Sequence, residues 1–181
     1  MKLRYKIIGI YCGILILLIS CKTTKNPLFY NLSEFNLNAG KEFVVEINSL
    51  NEITKISVVD VQLERNEFKV NGQSIFNDTL QKNLPNYYSY TKRAKELDIE
   101  PDKLSKLLSV FKEIKVSEFI REDGFYNFPV EQYALSKHNG YLYKSSSDLK
   151  VGDTLRNERN IYNTFILKKQ IAENWFEYES E

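Results

Sequence analysis

The segment PDKLSKLLSVFKEIKVSEFIREDGFYNF, residues 101–128, decides the fold class, because its apolar period changes once within it. Leu104, Leu107, Leu108, Phe111 and Ile114 recur at helical spacing. Pro101 at a first-turn position, with Ile99 before the cap and Leu104 as its staple partner, sets the start of that helix. After Ile114 the period falls to two. Val116 to Ile120, the turn pair Asp123-Gly124 and Phe125 to Phe128 predict a β-hairpin. A one-sided apolar helix followed directly by half-buried strands predicts a helix lying on a sheet.

Working upstream, Tyr87, Tyr90, Ala94 and Leu97 share helical spacing and predict a second helix. Asn71-Gly72 predicts a hairpin turn that sets Phe68 opposite Ile75 and Val70 opposite Gln73. Ile53 to Leu63 is a β-branched run whose apolar face switches parity, as in a strand buried on both faces or bulged. Phe43, Val45 and Ile47 alternate with Glu42 and Glu46 and predict a half-buried strand. Downstream, Gln132 to Lys137 and Tyr141 to Lys144 predict another hairpin turning at Asn139-Gly140. Ser145 to Asn160 reads as a polar loop, followed by strands around Tyr162 to Leu167 and Asn174 to Glu179. The expected architecture is α+β: a mainly antiparallel sheet or meander, with two helices packed on one face, formed by residues 28–181 as a single domain.

The N-terminus has a different composition. Lys2, Arg4 and Lys6 precede Ile7 to Ile19, an almost wholly apolar stretch shorter than the ~20 residues a spanning helix needs. It ends in Leu18-Ile19-Ser20-Cys21, which resembles the lipobox of bacterial lipoproteins. The resemblance covers residues 1–21 only. It implies that residues 1–20 are a signal peptide, that signal peptidase II cleaves before Cys21, and that Cys21 carries diacylglycerol with an acylated amine, commonly palmitate. Two or three acyl chains hold a protein at a membrane where a single one anchors marginally. Residues 21–27, closing at Asn26-Pro27, would be the lipidated tether, and at ~3.3 Å per residue it keeps the domain near the bilayer. Lys22 rather than Asp after the cysteine resembles default sorting to the outer membrane, so its periplasmic face in the cell envelope is the expected location.

Charge and cysteine use narrow the function. With Lys2, Arg4 and Lys6 removed, three of the 25 basic residues leave and none of the 24 acidic ones do, so 22 remain against 24. A balanced surface argues against a nucleic-acid partner. Cys12 falls in the signal and Cys21 bears lipid, so neither a disulfide nor a His/Cys zinc site is expected around His138, the single histidine. No D-x-D-x-D-G calcium loop occurs, and no cofactor is expected.

Catalytic patterns are weak. Ser145, Ser146, Ser147 and Asp148 lie near His138, but without a G-x-S-x-G elbow they read as a solvated loop. Glu118, Arg121, Glu122 and Asp123 could supply paired carboxylates for glycan hydrolysis, which needs them ~5–10 Å apart. Glu122 and Asp123 are more simply turn residues before Gly124. Gly40-Lys41 lacks the other glycine and the Ser/Thr of a phosphate cradle. The chain is instead rich in tyrosine, with 12. Tyr87, Tyr88, Tyr90 and Trp175 are the candidate partner-binding residues, since such side chains supply broad contact at low entropic cost. The leading expectation is a lipid-anchored envelope protein that binds a protein or glycan partner without catalysis. A lipoprotein inhibitor or immunity factor, resembled only in size, anchor and layout, comes next, and a glycan hydrolase with dispersed carboxylates third.

Overall fold

Residues 30–58, 66–70, 89–132, 138–146, 148–156 and 164–181 are described by the computed structural model. Cys21, the tether, Tyr87, Tyr88, and the Asn71-Gly72 turn with Ile75 and Gln73 lie outside them, as does the end of the run to Leu63. After a short 3₁₀ turn at Leu32–Glu34 come α1 (Leu37–Ile47), α2 (Tyr90–Glu96) and α3 (Pro101–Ile114). The strands are β1 (Lys55–Ser57), β2 (Glu67–Lys69), β3 (Glu118–Glu122), β4 (Phe125–Gln132), β5 (His138–Tyr143), β6 (Thr154–Arg156), β7 (Thr164–Ala172) and β8 (Trp175–Ser180).

Pro101 opens α3 and Lys115 closes it in the left-handed conformation. Leu104, Leu107, Leu108, Phe111 and Ile114 are all buried. Ser89 caps α2 by accepting from the Lys92 N–H. The helix ends in a Schellman turn, with Asp98 at positive φ and the Ile99 N–H donating to Ala94 O at 2.8 Å.

The first correction concerns residues 43–47, which are the last turns of α1 and not a strand. Ala39, Gly40, Phe43, Val44 and Ile47 are buried while Val45 is 70% exposed, a pattern only a helix produces. Asn36, whose side chain accepts from the Ala39 N–H, was the overlooked start signal. Phe43 then sits at the centre of the core, its ring 5.8, 4.9 and 5.9 Å from those of Phe111, Phe119 and Phe128.

The eight strands form one mixed sheet in the order β2-β1-β3-β4-β5-β8-β7-β6. β1 and β2 are parallel, and the other neighbours are antiparallel. The Asp123-Gly124 hairpin forms as the sequence predicts, with Glu122 opposite Phe125 and Gly124 at positive φ. Pro129, which cannot donate, falls at a bulge in β4.

Two further expectations fail. Asn139-Gly140 is not a turn but lies inside β5, where Gly140 faces Pro129 and Tyr178. Its glycine serves a close approach: a β-carbon there would lie 2.4 Å from the Phe128 carbonyl oxygen. The loop expected over Ser145 to Asn160 contains β6, an edge strand on β7.

Alternation along the strands produces two buried clusters. The larger joins the helices to Ile56, Phe68, Phe119, Phe128, Val130, Tyr141 and Trp175. The smaller consists of Phe125, Leu142, Phe165, Leu167, Phe176 and Tyr178. In a flat sheet β4 and β7 would stand ~14 Å apart across the two intervening strands. The Phe125 and Phe165 rings are 5.7 Å apart, so the sheet curls about this cluster like part of a barrel.

Candidate functional site

The β3–β4 hairpin brings Arg121 beneath the C-terminal end of α1. There the last carbonyls of the helix lack intrahelical donors and carry the negative end of its dipole. Arg121 reaches one of them and two carbonyls of the segment that follows: Nη2 donates to Ile47 O at 2.8 Å and Leu50 O at 3.2 Å, and Nε to Ile53 O at 3.0 Å. Its Nη1 donates to the Tyr126 hydroxyl at 2.8 Å, which donates onward to Asn48 Oδ1 at 2.5 Å. The guanidinium carbon also lies 5.0 Å from the centroid of the Tyr126 ring. All of these partners are neutral.

This clamp forms one wall of a cavity of about 300 Å³ lined by Asn48, Arg121, Glu122, Gly124, Phe125, Tyr126, Tyr143 and Ser145. Tyr126 and Tyr143 are cross-strand partners whose rings stack 5.9 Å apart at 28°. Tyr143 also contacts Trp175, 5.2 Å between centroids, which couples the cavity wall to the core. The cavity therefore combines aromatic faces, a carboxamide, hydroxyls and a cation. Such a set can orient a small polar ligand.

The residues singled out from sequence are scattered. Tyr90 and Trp175 are each 1% exposed, so these two rings are core and do not form a recognition surface. Tyr90 donates to Lys69 O at 2.5 Å, and Trp175 lies against Gly40 of α1. Glu118 is 5% exposed and accepts from Ser57 Oγ at 3.0 Å, with Lys55 Nζ 3.2 Å away. It does not line the cavity, which Glu122 does. Ser145 reaches the cavity and His138 does not, its Nδ1 being buried with no hydrogen-bond partner. Ser147 lies outside the described residues. Among the described residues no group of three or more His, Cys, Asp or Glu could hold a metal ion, and no helix is long and apolar enough to cross a membrane.

Sequence reading missed Asn48, Tyr126 and Tyr143. The signal available was the alternation of Arg121 and Tyr126 about Asp123-Gly124, which puts them opposite each other on one face. No protein-family model matches the chain, and neither a curated protein nor a solved structure matches it.

Proposed function

We propose that the chain is a lipid-anchored envelope protein whose folded domain acts as a non-enzymatic binding module, with the Arg121 cavity as its recognition site. The anchor rests on the lipobox ending at Cys21. The module rests on the chemistry of the cavity: a guanidinium held by neutral partners beside two stacked tyrosines and a carboxamide. Acid/base work on a glycan needs two carboxyl groups across the substrate. Glu122 is the one carboxylate among the lining residues, so the cavity favours holding a ligand over cleaving it. This reading includes a mainly antiparallel sheet with its helices on one face, an arrangement that leaves the β3–β4 rim open to a partner.

Two measurements test it. Labelled palmitate should enter the wild type and not Cys21→Ala, and retention of label by the variant would overturn the anchor. Pull-down from solubilised envelopes should recover a partner with the intact lipoprotein and not with Asn48→Asp, which places a negative charge in the cavity. Equal recovery by both would overturn the role of the site.

A further inference from the structure

We infer that the cavity takes a small hydroxylated ring bearing a carboxylate, a sugar acid in chemical class, an inference that rests on reading the cavity as a recognition site. Charge comes first. A guanidinium is always cationic and has five N–H donors. Four are engaged, by Ile53 O, the Tyr126 hydroxyl, Ile47 O and Leu50 O. None of these acceptors is a carboxylate, and among the described residues Arg121 takes part in no ion pair. One N–H of a guanidinium that no carboxylate bonds is left for an anion.

The donors around it are also constrained. Because the Tyr126 oxygen accepts from Arg121, its own proton must go to an acceptor, which assigns Oδ1 of Asn48 to that bond. The Asn48 Nδ2 group is then a free donor on the cavity wall. The Tyr143 hydroxyl and the Ser145 side chain, also on the wall, have no hydrogen bond with the protein among the described residues. A ligand thus meets one cationic N–H, one amide donor and two hydroxyls.

This set suits a carboxylate better than a phosphate. Phosphate sites gather several donors, usually more than one cation or a run of backbone N–H groups. Here one guanidinium N–H remains and no lysine lines the cavity. The tyrosine rings add broad faces for the apolar side of a ring. A volume of about 300 Å³ lies at the small end of ligand cavities, enough for one substituted ring.

The test is calorimetric titration of the full chain in detergent micelles with glucuronate, glucose and inorganic phosphate, alongside the fluorescence of Trp175, the single tryptophan. Glucuronate should bind saturably and about tenfold or more tighter than either of the others. Asn48→Asp, which keeps an acceptor for Tyr126, should weaken it about tenfold, and Tyr143→Phe by a smaller factor while melting like the wild type. Glucose or phosphate binding as tightly as glucuronate would overturn the inference, as would no saturation by ~50 mM, far above the millimolar range of weak ligands. Indifference of glucuronate binding to Asn48→Asp would overturn it too. If glucuronate fails while the envelope pull-down still depends on Asn48, the ligand class is wrong and the binding-module reading stands. If that dependence is absent, the module reading itself falls.

Discussion

Tyr178 on β8 lies across Gly140 of β5 so closely that a β-carbon at position 140 would stand 2.9 Å from its hydroxyl oxygen. The bare glycine lets the ring pass over β5 and donate to Asn127 Oδ1 on β4 at 2.7 Å. Three successive strands are tied at one buried point, in the part of the sheet that curls.

Gly140→Ala should therefore be costly. The added carbon meets backbone at Phe128 and Pro129, which cannot rotate away, and overpacking of this kind costs about 1–3 kcal/mol or more. Tyr178→Phe should cost about 1–3 kcal/mol by leaving the buried Asn127 carbonyl without its donor. Urea denaturation of both variants measures this. A neutral Gly140→Ala would show that the strands are not so closely apposed.

Stability should fall on the alkaline side. Burial pushes the Tyr141 hydroxyl up to about 12, and the Glu177 charge adds to it. Burial also holds Tyr178 well above the usual tyrosine range, reinforced by the charges of Glu118 and Glu122. In the unfolded chain both titrate near ~10, so above that pH the unfolded state loses its protons first. The stabilisation is complete below pH ~10 and is lost as pH rises towards and through the folded values. Urea midpoints should be level from about pH 8 to 10 and then decline, less steeply in Tyr141→Phe. A midpoint still level at about pH 11.5 would contradict the burial of both hydroxyls.

A pair of substitutions separates helix from strand at residues 43–47. Phe43→Ala should cost about 3–5 kcal/mol, whereas Val45→Lys should stay within about 0.5, because Val45 is on the outer side of α1. In a strand the two side chains would share a face and respond alike. Leu108→Ala should join the costly group at about 2–5 kcal/mol. Lys106→Ala should change little even though Lys106 Nζ lies 2.7 Å from Glu46, since both ends of that pair reach solvent.

Arg121 should prove a stability residue as well as a cavity wall. Arg121→Met removes its donors from the carbonyls of Ile47, Leu50 and Ile53; the first two keep the N–H groups of Leu50 and Ile53, so the loss should be about 1–3 kcal/mol, chiefly from the Ile53 carbonyl. Arg121→Lys should restore only part of the loss, because a compact ammonium cannot span a forked set of acceptors. Thermal melts of the two variants decide this, and a fully stable Arg121→Lys would remove the forked clamp from the account.

Residues 101–128 were legible in the sequence because their structure is local: a proline start, a stripe at helical spacing and a two-residue turn depend on near neighbours. The same local logic failed at residues 43–47, where adjacent Val44 and Val45 satisfy either period until packing buries one and exposes the other. It failed again at Asn139-Gly140, a turn dipeptide kept extended because Tyr178 needs the space over the glycine. The lipobox-like run ending at Cys21 is likewise a local pattern, and the anchor proposed from it draws on residues 1–21 alone. The parallel pairing of β1 with β2, the curl of the sheet and the cavity belong to tertiary structure alone. Arg121 closes α1 through a residue 74 positions away, and no short-range pattern encodes a contact of that span.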